Sequence, residues 1–187
     1  MAALACTLLL IPPTDASGQA KATKKVFLVE NRGRDRWCAY NKESAWRAAV
    51  NRAEALTVGV LIYAGRQLRR IDVTETDESG DWTAYDHYLL NGRGEITRLY
   101  RMINILPGNR SVSQTYLIND GKAKKTAATE KQLSSGKPLI SAKPVWLPKV
   151  PIRTRLGMFP FSSLLGRPGL TTASKSCAPI PGRGGGG

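Results

Sequence analysis

The chain is 187 residues long and 42% hydrophobic, which suits one domain of ordinary size, or a smaller one with tails, around a real core. Its net charge of +14 would by itself suggest nucleic acid or an anionic membrane surface as partner. Position changes that inference, because residues 26–130 hold sixteen basic and thirteen acidic side chains, whereas residues 131–187 hold nine basic and none acidic. The central part is nearly balanced, so nucleic-acid binding by the domain itself loses most of its force.

The chain opens with an apolar run from Ala2 to Ile11, followed by Pro12, Pro13 and polar residues to Gln19. A bilayer span needs about 20 apolar residues, so the run matches the hydrophobic region of a secretory signal instead. Gly18 and Ala20 suit cleavage before Lys21, which makes residues 1–20 a signal peptide, truncated because its basic start is missing. Export to the periplasm or the medium is the expectation.

Val26 to Glu30 and Trp37 to Tyr40 predict two short strands. Asn41 then offers a helix cap, and Ala45, Trp46, Ala49, Val50, Ala53 and Leu56 recur at the spacing of one apolar helical face. Thr57 to Tyr63 is continuously apolar and rich in β-branched residues, as in a central strand buried on both faces. From Leu68 to Asp120, turn residues at Asp77–Gly80, Asn91–Gly94, Leu106–Asn109 and Asn119–Gly121 punctuate a run of strands. Asn91-Gly92 is the strongest tight-turn signal, since such turns need positive φ. Within the strands Ile71 and Val73 alternate with Arg70, Asp72 and Thr74. Leu99, Ile103 and Ile105 likewise oppose Arg98, Tyr100 and Met102, and Val112, Tyr116 and Ile118 oppose Ser111, Ser113 and Thr115. Alternation of this kind predicts an antiparallel sheet with one wet face, its dry face covered by the helix.

After Gly121 the periodicity fades. Lys122 to Gln132 is polar and alanine-rich, as in a frayed helix, and eight prolines follow between Pro138 and Pro181. Proline removes ladder donors and interrupts helices. The fold expected is therefore α+β: an antiparallel β-meander with one helix packed on one face over residues 26–121. A disordered Pro/Gly-rich C-terminal tail, basic and of low order, occupies residues 122–187.

The chemistry-bearing residues are few. Cys6, Cys38 and Cys177 form no clustered ligand set with the single histidine, so no metal or cofactor is expected. Cys38 reads as a buried free thiol rather than the partner of Cys177. His87 lies in Trp82-Thr83-Ala84-Tyr85-Asp86-His87-Tyr88, and neighbours on one strand point to opposite faces, so His87 and Asp86 do not pair. The acids at Asp72, Glu75, Asp77, Glu78 and Asp81 fit a solvated hairpin tip. Tyr85, His87, Tyr100 and Tyr116 with Arg98 and Arg101 form the weak candidate binding surface, able to stack on a sugar or a single-stranded nucleic acid; as cross-strand pairs they would simply stabilise the sheet.

These features point to an exported, non-catalytic binding or interaction module of the bacterial cell envelope, with an envelope protein or a polysaccharide as partner. One rival is a hydrolase-like enzyme using the aromatic sheet face around His87. Another is binding of nucleic acid or an anionic surface through the basic tail, by counterion release.

Overall fold

The computed structural model describes residues 23–31, 35–53, 55–139 and 146–180. The signal-like run at 1–20 and the terminal glycines lie outside these residues. Nine antiparallel strands form one sheet with spatial order β8-β7-β6-β5-β4-β3-β1-β2-β9. They are β1 (Thr23–Asn31), β2 (Arg36–Tyr40), β3 (Thr57–Ala64), β4 (Gln67–Thr76), β5 (Trp82–Leu90), β6 (Ile96–Ile105), β7 (Arg110–Asn119), β8 (Lys122–Gln132) and β9 (Lys175–Pro179). Two α-helices accompany them among the described residues, α1 (Glu43–Ala53) and the short α2 (Ser162–Leu165), with a single 3-10 turn at Leu156–Met158. With one substantial helix beside a large antiparallel sheet, the fold is of the small α+β kind; β3 to β7 run as the expected meander, and β8 extends it by one strand that was not expected.

Side-chain parity divides the sheet into two unlike faces. Leu28, Leu61, Ile71, Tyr88, Leu99 and Tyr116 lie on the main core face, which is dry as their alternation required. Helix α1 does not cover it. Trp46, Ala49, Val50 and Ala53 pack instead over Val29, Cys38 and Tyr40, on the opposite face of β1 and β2. The physical reason lies in β1 and β2 themselves, whose consecutive buried residues (Val26 to Val29, Trp37 to Tyr40) need a cover on each side. Asn41 does not cap α1 either: its Nδ2 donates to the Thr172 carbonyl at 3.2 Å, and its Oδ1 has no partner among the described residues.

The dry face is covered by residues 146–180, part of the segment expected to be disordered. Phe159, Phe161 and Leu164 are fully buried against it, with Phe161 edge-on to Trp37 and Phe159 edge-on to Tyr88. Val150 joins Ala84, Ile103 and Ile105 in a second cluster. Over residues 146–174 no strand forms, in keeping with the prolines there. Carbonyls remain available, however, and the extended Val150-Pro151 stretch accepts bonds from the sheet. Strand β9 adds the last rung, placing Cys177 opposite Cys38, and the two form a disulfide across 139 residues of sequence. The free-thiol reading of Cys38 is therefore corrected.

Lys122–Gln132 is a strand and not a helix. Asp120 (φ 51°) and Gly121 (φ 74°) supply the paired positive φ values of a tight hairpin, which carries the chain directly from β7 into β8. Asn91-Gly92 is a turn of another type. There the Asn91 Oδ1 accepts the Arg93 and Glu95 amides, and the positive φ falls on Gly94. Strand β8 is exposed on nearly every side chain, and its lysines guard an edge that would otherwise invite pairing.

Candidate functional site

Beyond α1, the face opposite the dry one is left open over β3 to β8. The register of the strands aligns its side chains in rows. One row runs Asp72, His87, Tyr100, Thr115 on successive strands β4 to β7. Beside it, Thr74, Tyr85, Met102 and Ser113 form a second. Tyr100 and Met102 are each 38% exposed, unusual for side chains of this size in mid-strand. The His87 Nδ1 lies 2.8 Å from the Asp72 Oδ1, and Arg70 donates from Nε and Nη2 to the Asp72 Oδ2 at 3.1 and 2.9 Å. Arg98 reaches the Tyr100 hydroxyl at 2.8 Å with its guanidinium carbon 5.8 Å from the ring centroid. His87 thus has a carboxylate partner, Asp72 from the neighbouring strand, while Asp86 points to the other face as its position on the strand requires.

A third row has a regular chemistry. Lys25 on β1 stands opposite Ile62 on β3, which stands opposite Arg70 on β4, then Leu89, Arg98, Leu117 and Lys124 on β5 to β8. Cationic and aliphatic side chains alternate strand by strand across the sheet. Strands β3 to β8 place one carboxylate on this face, Asp72. Glu75 and Asp86 belong to the other face, and Glu130 is engaged with Arg110.

Four of the six candidate residues, Tyr85, His87, Arg98 and Tyr100, therefore share the open face. Arg101 and Tyr116 do not. Arg101 is 5% exposed and lies on the dry face with Leu99 and Ile103, whose parity it shares. It grips Asp86 with two bonds, Nε to Oδ1 at 2.7 Å and Nη2 to Oδ2 at 2.6 Å. It also donates to the Val150 and Pro151 carbonyls, each at 2.8 Å. The Tyr88 hydroxyl donates to the Asp86 Oδ2 at 3.0 Å and accepts the Arg153 amide at 3.4 Å, while the Arg153 guanidinium pairs with Glu75. Burial and the Asp86 charge push the Tyr88 hydroxyl well above its ordinary pKa. Burial works to lower the Arg101 pKa, but the hydrogen bonds and charge of Asp86, helped by the nearby Tyr88 and Tyr116, outweigh it and raise the pKa above its ordinary value. Tyr116 is buried beside this group and donates to the Gln114 Oε1 at 2.8 Å. These residues tie residues 146–153 to the sheet; they are a fastening and not a binding surface. Counting parity from Leu99 would have found Arg101, and its register partner Asp86 would have explained it.

A cleft of about 850 Å³ opens at one end of the sheet, lined by the β5–β6 and β7–β8 turns and residues 154–156, and none of the six candidates lines it. Asp77, at the acidic hairpin tip, accepts from the Ser79 hydroxyl and the Trp82 amide, which lower its pKa. Among the described residues no three His, Cys, Asp or Glu side chains gather as a metal-ion ligand set, and no helix is long and apolar enough to cross a membrane. No family model, curated protein or solved structure matches the chain.

Proposed function

We propose that the protein is an exported, non-catalytic binding or interaction module of the bacterial cell envelope, taking an envelope protein or a polysaccharide on the open face of β3 to β8. The observation that supports this most is the unequal dress of the two faces. One is sealed by a 35-residue segment, 146–180, with fully buried aromatics, while the other presents Tyr85, His87, Tyr100 and Met102 to solvent. Contiguous part-apolar surface of this kind marks interaction sites. The His87–Asp72 pair lies on open sheet, where it supplies a hydrogen-bonding contact to a partner.

Export is supported by the Cys38–Cys177 disulfide, since such bonds persist in oxidising compartments, and by the signal-like run from Ala2 to Ile11. Fractionation of the native producer, with thiol alkylation before and after reduction, tests it. The expected product is found in the envelope or the medium, and Cys38 and Cys177 react only after reduction. A cytosolic product with both thiols free would defeat the reading.

A further inference from the structure

We infer that the open face binds a linear anionic polysaccharide carrying one acidic group per disaccharide, laid across the strands along the row Lys25, Arg70, Arg98, Lys124. The inference rests on the envelope-binding reading above and names its ligand class. Neighbouring strands lie about 4.8 Å apart, so cations on every second strand recur at about 10 Å, close to the length of two pyranose rings. Each of the four stands two strands from the next in the pairing register, with Ile62, Leu89 and Leu117 between them. A polymer with this repeat would bring one carboxylate or sulfate to each cation and set the apolar face of the intervening sugar on the aliphatic side chain.

The surroundings fit the same ligand. Lys122 faces Asn119 and Lys131 faces Ser111, adding positive charge to the open side of β8 against the single carboxylate of Asp72. Asp72 holds Arg70 through Nε and Nη2, and that pair does not use Nη1. Tyr100 carries the Arg98 guanidinium over its ring, 5.8 Å from the centroid, and its exposed part is left to pack on a sugar next to the acid-bearing one. A single nucleic-acid strand fits less well, because it carries one phosphate per nucleotide, more often than one charge per about 10 Å, and would leave charges between the cations. Spacing, and not only net charge, separates the two ligands.

The test uses the full chain and isothermal titration with hyaluronate oligosaccharides, which carry one carboxylate per disaccharide, against neutral dextran and oligothymidylate. Hyaluronate is expected to bind, more weakly as salt rises, with dextran inert and oligothymidylate weaker at equal salt. Arg98→Ser and Lys124→Ser should each weaken binding about fivefold, the scale of one exposed ion pair. The decisive variant exchanges two side chains, Arg98→Leu with Leu117→Arg, which keeps the net charge and breaks the period. It should lose as much affinity as Arg98→Ser while circular dichroism and thermal unfolding stay as in the parent. Full affinity in the exchanged variant would overturn the inference, as would tighter binding of oligothymidylate, or no binding of hyaluronate at all. These outcomes leave the envelope reading to its own fractionation test, whereas a cytosolic product would remove that reading and leave the titration standing.

Discussion

Along β6, Leu99, Arg101 and Ile103 lie under the C-terminal segment, while Arg98, Tyr100 and Met102 on the same strand meet solvent. Each set contains an arginine, and the two arginines behave in opposite ways. Arg101 makes four charge-assisted bonds in a dry site, where an unpaired charge would be very costly. Arg98 makes one bond to a neighbouring hydroxyl and stays exposed. The side of the sheet, and not the residue type, decides whether a guanidinium fastens the fold or remains available to a partner.

Substitutions on the two faces test that comparison, and the largest effect belongs to Leu99→Asp. It places a carboxylate on the dry face with no partner, and loss of the folded state by circular dichroism is the expected outcome. Arg101→Ala strands the Asp86 charge and should cost about 3–5 kcal/mol in urea unfolding. Restoring neutrality with Asp86→Asn in the same chain should recover part of that loss, and no recovery would mean the pair is not what holds residues 150 and 151. Replacing Cys38 and Cys177 by serine should cost about 2–4 kcal/mol, measured the same way.

Tyr88 gives a smaller, pH-dependent effect. Its hydroxyl is raised above the ordinary value near 10, so the stability it contributes is fully present below that pH. Stability is lost as pH climbs from 10 toward the raised folded value, because the unfolded chain releases the proton first. The melting temperature should therefore fall less steeply above pH 10 in Tyr88→Phe than in the parent. Arg98→Asp, on the open face, should change stability by less than about 0.5 kcal/mol. Equal destabilisation by Arg98→Asp and Leu99→Asp would show that the faces are assigned wrongly.

Much of the sheet was legible because period-two alternation survives in β4, β6 and β7, where one face is dry and the other wet. Helix α1 was legible from its apolar stripe, yet its docking site was not, since that depends on which side of β1 and β2 lacked another cover. Strand β8 was missed because an exposed edge strand has no apolar alternation to read, and Lys122 to Gln132 has none. The role of residues 146–180 was hidden for a related reason. Its prolines erase every local pattern, and its value lies in carbonyls offered to Arg101 and in Phe159 and Phe161, whose partners are more than 60 residues away in sequence. Strand parity set Arg98 and Tyr100 opposite Leu99 and Ile103, but only the pairing register brings Tyr85 and His87 to the same face and sends Arg101 and Tyr116 to the other. The cation row escaped notice because its members sit on four different strands, and only their mutual register brings them into line.

Shortening the chain tests most directly whether the sheet depends on its C-terminal cover. Thermal unfolding of a chain ending at Leu139, followed by circular dichroism and hydrogen exchange, isolates the sheet from residues 146–180. With Phe159, Phe161, Leu164 and the Cys177 bond removed, the dry face over Leu61, Ile71, Tyr88 and Leu99 is bare. Loss of the cooperative transition and of slow-exchanging amides in β3 to β6 is the predicted result. A shortened chain that melts cooperatively at the temperature of the full one would contradict the account, and would return residues 146–180 to the status of a tail.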